Sequence, residues 1–134
     1  NHKDSLYTEI KTLKGSEILL VEDNEINQEI IVELLKDSGI KIDLAIDGFE
    51  AIKKAEEKKY ELILMDIQMP IKNGYEAAEE ILNMNPKAII IALTAGIFTG
   101  EREKCLEIGM VDFVVKPLDK ELFDTKLLKW IKTL

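Results

Sequence analysis

The chain has 134 residues, of which 46% are hydrophobic and 33% are charged, and its formal net charge is -8 at pH 7. Such a length suits one domain with a single hydrophobic core, and the composition is typical of a folded globular protein rather than a disordered one. The acidic charge argues against sequence-independent binding to nucleic acid or to anionic lipid, because both need clustered lysines and arginines.

The single cysteine, Cys105, cannot form an intramolecular disulfide, and no other residue accompanies it at zinc-ligand spacing. We therefore expect a reducing, cytoplasmic setting. No apolar run approaches the roughly 20 residues of a membrane helix, and the N-terminal segment lacks the apolar core of a signal peptide. Because the sequence does not begin with Met, we expect it to be part of a longer chain or a processed form.

The N-terminal segment has a helical pattern of its own. Leu6, Ile10 and Leu13 recur at helical spacing. We assign residues 1–15 to a linker or N-terminal extension that enters from an upstream domain, and residues 16–134 to the domain itself.

Five short apolar runs rich in Ile, Leu and Val are predicted β-strands. They are EILLVE from Glu17, KIDLAI from Lys41, ELILMD from Glu61, AIIIAL from Ala88 and VDFVVK from Val111. Helical patterns separate them, and this alternation predicts an α/β fold with a parallel sheet and helices on both of its faces.

The first of these helices carries an apolar stripe of Ile26, Ile30, Ile31, Leu34 and Leu35, and Gly39 is predicted to close it. Segments 48–59, 75–84 and 101–108 repeat this logic with a charged face beside an apolar one. A last helix from Asp119 is predicted to bury five side chains, those of Leu122, Phe123, Leu127, Trp130 and Ile131.

Polar residues stand where the predicted strands end, which is where open α/β sheets bind their ligands. The first strand ends in Glu22 and Asp23, the third in Asp66, the fourth in Thr94 and the fifth in Lys116. Three carboxylates at one edge repel each other and favour a bound cation. Hard oxygen ligands in this number suit Mg²⁺.

A metal site beside a lysine and a hydroxyl is well arranged for phosphoryl transfer. Lys116 and the metal would neutralise the charge of the transferring group, while Thr94 and a neighbouring backbone N–H would bind its oxygens. Asp66 could then be the nucleophile that forms an aspartyl phosphate.

Each of these residues also has a purely structural interpretation. Asp23 or Asn24 could cap the helix that begins near Glu25, and Asp66 could cap a turn before Pro70. Thr94 could simply end a strand, and Phe113 is by default a core residue. Capping does not explain why all of these side chains fall at strand ends of one sheet.

The sequence resembles the receiver domains of two-component signalling. The motifs that carry the resemblance are ILLVEDN, LILMDIQMPIKNGYEA, IIALTA and FVVKP, in the family's order and spacing, within a match from about Ser16 to Leu134. The resemblance implies a flavodoxin-like (CheY-like) doubly wound sheet of five parallel strands in the order 2-1-3-4-5.

The resemblance also implies the roles of individual residues. It makes Asp66 the phosphoacceptor, Thr94 and Phe113 a switch pair, and Lys116 the phosphate-contacting lysine, joined to Pro117 by a cis bond. The implied Mg²⁺ ligands are Glu22, Asp23, Asp66 and the backbone carbonyl of Gln68. The implied contact of the phosphoryl group is the backbone N–H of Ala95.

In functional terms, the resemblance implies a phosphoacceptor that takes its phosphoryl group from a histidine kinase or histidine phosphotransfer protein and then changes a protein-interaction surface. The finer motifs are similar to receivers at the C-terminal end of hybrid sensor histidine kinases. Such a domain catalyses its own phosphorylation and dephosphorylation, so the term enzyme applies only weakly. We expect a cytoplasmic monomer, free or as the cytoplasmic part of a membrane-bound kinase, with no nucleic-acid or membrane contact of its own.

Several alternatives stay open. The chain could be a single-domain response regulator or a degenerate receiver that acts only as a docking module. A flavodoxin-like FMN binder shares the fold, but EDNEIN puts acidic side chains where FMN phosphate would need donors. Two departures from the family pattern stand out: Lys72-Asn73 replaces a usual acidic position before Gly74, and Phe113 lacks the hydroxyl of the tyrosine that relatives often carry.

Overall fold

A computed structural model of the chain describes residues 2–69, 72–96 and 100–131. Asn1, Pro70 and the predicted end of the domain at Leu134 lie outside these ranges. The described chain folds into five strands, β1 (Glu17–Val21), β2 (Lys41–Ala45), β3 (Leu62–Asp66), β4 (Ile90–Thr94) and β5 (Asp112–Val115). Its helices are α1 (His2–Ile10), α2 (Glu25–Leu35), α3 (Gly48–Glu57), α4 (Gly74–Met84), α5 (Glu101–Ile108) and α6 (Lys120–Trp130), with a short 3-10 helix at Lys11–Leu13.

All five strands are parallel and lie in the order β2-β1-β3-β4-β5. The predicted fold class and strand order are therefore confirmed. The register aligns Val21 of β1 with Met65 of β3, and Thr94 of β4 with Val115 of β5. The carboxyl ends of these strands consequently reach the same edge of the sheet.

The strands agree with the predicted ones to within two residues at each end. The largest difference is in β4, which begins at Ile90 rather than Ala88 and includes Thr94. Thr94 is thus the last strand residue and is buried.

Asn and Asp side chains cap the four helices that follow β1, β2, β3 and β5. The caps are Asn24, Asp47, Asn73 and Asp119, and each accepts a hydrogen bond from a backbone N–H of the first helical turn. Asn24 therefore caps α2, and the Asp23 side chain is not needed for that purpose. These caps satisfy some of the free backbone N–H groups at the start of each helix.

Two apolar clusters cover the two faces of the sheet. One joins α2 and α6 to the sheet through residues such as Ile31, Leu35, Phe123 and Leu127. The other joins α3, α4 and α5 through small or flexible residues such as Ala51, Ala77, Met65 and Cys105. Burial of both sheet faces explains why the strands are continuous apolar runs.

The predicted apolar stripes of α2 and α6 are partly wrong. Ile26 and Ile30 are 67% and 48% exposed, so α2 packs on the sheet only through its C-terminal residues. Leu122 is 51% exposed, because α6 buries Phe123 and Leu127 instead. The last turn of α2 also ends at Leu35, four residues before Gly39, whose φ of 80° lies in the connecting turn.

The N-terminal helix α1 packs against α6 at the opposite end of the sheet. Leu6, Ile10 and Leu13 are all buried, and the last two join the first apolar cluster. The assignment of residues 1–15 as a linker stays a prediction, while their described part shares the core of the domain. Within the described ranges, no helix has the length and apolarity of a membrane span.

Candidate functional site

The strand ends bring the five predicted polar residues to one edge of the sheet. Glu22, which directly follows β1, is buried and its backbone N–H donates to the Ala45 carbonyl at 3.0 Å. Asp66 is 4% exposed at the end of β3, and Thr94 is 1% exposed at the end of β4. Lys116 continues β5 with a backbone hydrogen bond to the Thr94 carbonyl at 2.8 Å.

The three acidic residues can present ligands to one metal ion. One carboxylate oxygen from each of Glu22, Asp23 and Asp66 lies within 4.8 Å of the others. Glu22 and Asp66 are buried and Asp23 is exposed, so the cluster opens to solvent on one side. These carboxylates fit a hard divalent cation, because such ions prefer oxygen ligands and because a cation relieves the repulsion between the three negative charges.

Lys116 provides the only cationic group that contacts these carboxylates among the described residues. Its Nζ donates to Glu22 Oε1 at 2.8 Å and to Asp66 Oδ2 at 3.4 Å. Burial on its own lowers the pKa of Lys116, but the hydrogen bond to Glu22 and the charge of Asp66 outweigh it and leave the pKa raised. Three carboxylates facing one ammonium leave two negative charges to be balanced.

Two further contacts hold the first acidic residue. The backbone N–H of Asn24 donates to Glu22 Oε2 at 3.3 Å, and the Gln28 side chain donates to the Glu22 carbonyl at 2.7 Å. Gln28 was not predicted from the sequence. Its position one turn into α2 does not by itself indicate a role at the site, because polar residues are common on an exposed helix.

Asp66 is held in a turn as well as in the acidic cluster. Its Oδ1 accepts a hydrogen bond from the Gln68 backbone N–H at 2.9 Å, so the structural interpretation of a turn cap is also correct. The helix α4 begins close against this turn. A Cβ on Gly74 would lie 2.6 Å from Ile67 Cα and would also collide with the Asp66 carbonyl oxygen. Gly74 is a second residue whose role at this site was not predicted.

The Thr94 hydroxyl is already engaged by a local turn. It donates to the Gly96 carbonyl at 2.7 Å and accepts from the Gly96 N–H at 3.2 Å. The next residue, Ala95, is exposed. The hydroxyl must therefore leave the Gly96 carbonyl before it can donate to another acceptor.

Phe113 lies in β5, opposite Ala92 of β4, and is half-buried against the second apolar cluster. The Nζ of Lys126 lies 4.7 Å from the centre of its ring, and the guanidinium carbon of Arg102 lies 5.9 Å from it. The bond between Lys116 and Pro117 is cis, as the resemblance implied.

The unusual pair Lys72-Asn73 has a structural role. Asn73 caps α4 through a 3.0 Å hydrogen bond from the Glu76 N–H. Lys72 pairs with Glu80 at 2.7 Å and lies 5.0 Å from the centre of the Phe49 ring. Its positive charge is directed along α4.

A groove of about 350 Å³ adjoins the lysine side of the site. Its lining is mostly apolar and includes the exposed part of α2, and the residues concerned are Asn27, Ile30, Ile31, Ala95, Lys116, Pro117 and Leu118. The exposure of Ile30 therefore belongs to a recessed surface beside Lys116.

Comparison with known sequences gives one family. The family model that matches is that of the response regulator receiver domain, over residues 18–128. The chain is 41% identical over 118 residues to hybrid signal transduction histidine kinase B of Dictyostelium discoideum. This alignment covers 78% of this chain and 6% of that kinase. Across three such kinases the aligned share of the relative is 3% to 10%, so the chain spans only a small part of their length.

Solved structures agree with this match. The receiver domain of sensor histidine kinase PA1611 from Pseudomonas aeruginosa PAO1, with a magnesium ion coordinated in its active site cleft, gives a TM-score of 0.82 at 41% identity. That alignment covers 89% of this chain and 99% of the other. The Saccharomyces cerevisiae receiver domain of Ssk1, solved with the histidine phosphotransfer protein Ypd1, gives a TM-score of 0.81 at 33% identity, with 87% and 88% covered.

Proposed function

Because the chain belongs to the response regulator receiver domain family, we propose that it accepts a phosphoryl group on Asp66 from a phosphohistidine. The single observation that carries the proposal is the convergence on one buried aspartate of two further acidic residues and of Lys116, whose Nζ lies 3.4 Å from Asp66 Oδ2. The role of a turn cap or a strand end does not explain why these charged groups lie together.

In the proposed reaction an Asp66 carboxylate oxygen forms a bond to phosphorus while the bond from phosphorus to the histidine nitrogen breaks. The electron pair of that bond returns to the nitrogen. The histidine side chain leaves as a neutral imidazole that carries one proton on its ring nitrogens. Lys116, which already contacts Asp66, stays close to the transferred group and balances part of its charge. A carboxylate nucleophile carries no proton that must be removed, so this step needs no general base.

We assign Glu22, Asp23 and Asp66, together with the Gln68 backbone carbonyl, as ligands of Mg²⁺. A bound magnesium ion supplies positive charge to the phosphoryl oxygens. The fit rests on the oxygen donors within 4.8 Å of each other and on the two uncompensated negative charges of the site. The related PA1611 receiver domain, which holds magnesium in its active site cleft, supports the choice of ion.

The proposed response to phosphorylation begins at Thr94. Its hydroxyl would leave the Gly96 carbonyl and donate to a phosphoryl oxygen, beside the backbone N–H of Ala95. Phe113 would move into the space that Thr94 leaves, and the surface formed by α5, β5 and α6 would change. The added group carries about 1.5 to 2 negative charges, which is a strong enough local change to drive such a shift.

The partner we propose is a histidine kinase or a histidine phosphotransfer protein. The Ssk1 receiver domain was solved with the phosphotransfer protein Ypd1, and many of the relatives are hybrid histidine kinases. We propose that this chain is the receiver of such a kinase, monomeric by itself and located in the cytoplasm. A single-domain response regulator and a docking module that is never phosphorylated are the alternatives.

The test is the intact mass of the chain after incubation with acetyl phosphate and Mg²⁺. Wild type should gain one phosphoryl group, and Asp66→Asn or removal of Mg²⁺ should abolish the gain. Asp47→Asn is the matched control, because Asp47 caps α3 at a neighbouring strand end and Asn caps equally well. Labelling of Asp66→Asn at the wild-type level would refute the assignment of the phosphoacceptor. A wild-type chain that neither binds Mg²⁺ nor takes up label from acetyl phosphate or a phosphohistidine donor would favour the docking module.

A further inference from the structure

The ammonium of Lys126 in α6 is directed entirely at β5. It donates to Asp112 Oδ1 at 3.0 Å and to the Phe113 backbone carbonyl, and it lies 4.7 Å from the centre of the Phe113 ring. Only 18% of the Lys126 side chain is exposed. A lysine has three N–H donors; two of them bond to Asp112 and Phe113, and the Phe113 ring lies beside the same nitrogen.

Asp112, which binds Lys126, has further hydrogen-bond partners of its own. The indole N–H of Trp130 donates to Asp112 Oδ2 at 2.9 Å, and the Phe113 N–H donates to Asp112 Oδ1 at 2.8 Å. Burial alone raises the pKa of Asp112, but the hydrogen bonds from Trp130 and Lys126 more than offset it and keep the carboxylate charged. Lys126 is therefore anchored beside the Phe113 ring.

A second cation reaches the same ring from another helix. The Arg102 guanidinium of α5 lies 5.9 Å from the centre of the ring, within the range of cation–π attraction. Phe113 has no hydroxyl, so its ring can be held by polar groups only through the π-system. The aromatic side chain is thus within cation–π distance of one cation from α5 and one from α6.

We propose that Lys126 and Arg102 are positioning residues that hold the Phe113 ring in its present place and so oppose the switch from this state to the phosphorylated one. The proposal rests on the function proposed above, in which Phe113 moves toward Thr94. In this proposal the movement takes the ring away from the Lys126 ammonium and the Arg102 guanidinium, which now lie 4.7 and 5.9 Å from its centre, and gives up their attraction. A ligand that favours the switched state must therefore overcome this attraction, which lowers its apparent affinity.

The size of the effect follows from the strength of one cation–π contact. Such a contact at a partly exposed site corresponds to about a two- to fivefold change in an equilibrium constant. Removing the cation at residue 126 should therefore tighten the apparent affinity for a phosphoryl analogue by about that factor. The affinity for Mg²⁺ alone should not change, because the metal site lies at other residues and metal binding alone does not require Phe113 to move.

The experiment is a titration of the chain with beryllofluoride, a phosphoryl analogue, at saturating Mg²⁺, followed by amide NMR. The variants are Lys126→Met, which keeps the length of the side chain but not its charge, and Lys126→Arg, which keeps the cation. Arg102→Met tests the second cation on a different element. Lys126→Met is also measured in a Phe113→Leu background, where no ring remains to be held.

Tighter beryllofluoride binding by Lys126→Met, wild-type binding by Lys126→Arg and no effect of Lys126→Met in the Phe113→Leu background would establish the proposal. If Lys126→Met does not fold, Arg102→Met decides by the same measurement. Equal affinities for wild type and both methionine variants would overturn the positioning role and leave the proposed function intact, as would an effect of Lys126→Met that persists without the ring. No Mg²⁺-dependent beryllofluoride binding by wild type would overturn both.

Discussion

The two ends of the sheet are built on opposite principles. At the amino ends of the strands, α1 and the following 3-10 helix bury Leu6, Ile10 and Leu13 against the core. At the carboxyl ends, polar side chains are buried as well, namely those of Glu22, Asp66 and Thr94. Burial of apolar side chains stabilises the fold, whereas burial of carboxylates costs free energy unless each has partners.

The difference teaches where this domain gains and where it loses stability. The amino end of the sheet, which we call the base, contributes free energy mainly through apolar packing. The site end needs Lys116, the Asn24 N–H and the Gln68 N–H to make its buried carboxylates tolerable. We expect substitutions at the base to change stability and substitutions at the site end to change ligand binding, and four predictions test this division.

The largest expected effect is at the base. Leu13→Ala should lower the free energy of unfolding by about 3 kcal/mol, because the side chain is fully buried and a cavity would remain. Urea unfolding followed by Trp130 fluorescence measures it. The matched control is Leu106→Ala, whose side chain is 51% exposed and whose loss should cost less than about 0.5 kcal/mol. Equal effects of the two substitutions would contradict the packing role of the N-terminal segment.

The second prediction compares two glycines. Gly74→Ala should cost about 2 kcal/mol, because its Cβ would collide with the backbone of Asp66 and Ile67. Gly15→Ala at the base should cost about 1 kcal/mol, since Gly15 has a φ of 88° but open space around it. Thermal unfolding measures both. Only Gly74→Ala should also weaken Mg²⁺ binding, and a loss of Mg²⁺ affinity in Gly15→Ala would break the division between the two ends.

The third prediction concerns the metal. Mg²⁺ at ten times its dissociation constant should stabilise the wild-type chain by about 1.4 kcal/mol, because it binds only the folded state. Asp23→Asn should abolish this increment and leave stability without Mg²⁺ nearly unchanged, because Asp23 is exposed. Denaturant unfolding with Mg²⁺ or with chelator measures the increment. An increment that survives in Asp23→Asn would remove this residue from the ligand set.

The smallest effect is expected at Asp124, a buried acid of α6 away from the site. Burial raises its pKa despite a 3.0 Å hydrogen bond from Lys120, and its Oδ1 has no partner in the described part of the chain. A raised folded pKa means that the folded state binds more protons than the unfolded state, so stability falls as pH rises above the ordinary value of 3.8.

Asp124→Asn should therefore be slightly more stable than wild type at pH 7, by less than about 1 kcal/mol. The difference should shrink as the pH is lowered from 7 toward 4, because the raised pKa makes the folded wild-type carboxyl take up a proton, and so lose its charge, at a higher pH than the unfolded one. Unfolding midpoints at the two pH values measure this. A variant that is less stable at pH 7, with no dependence on pH, would show that the Lys120 ion pair outweighs burial.

The sequence predicted the fold and the neighbourhood of the site because both depend on strong patterns. Five apolar runs of strand length fix the sheet, and a parallel sheet necessarily collects its strand ends at one edge. Glu22, Asp66, Thr94 and Lys116 are therefore found together as predicted, while their functional roles stay predictions.

What could not be predicted depends on side-chain direction rather than on pattern. Helical spacing placed Ile26 and Ile30 on one stripe with Ile31 and Leu35, but only the last two are buried against the sheet. The hydrogen bond from Thr94 to Gly96 depends on the rotamer of Thr94, which the sequence pattern does not determine. The contacts of Lys126 join residues of α6 and β5 whose spacing carries no signal.

The buried cysteine has a practical consequence for the study of motion. Cys105 is the single cysteine of the sequence, it is buried against α4, and burial raises the pKa of its thiol. A neutral, inaccessible thiol reacts slowly with maleimides. A cysteine introduced at an exposed position of α5 or α6 can therefore carry a fluorophore or spin label in the otherwise native sequence, and Trp130 is available as its energy-transfer donor.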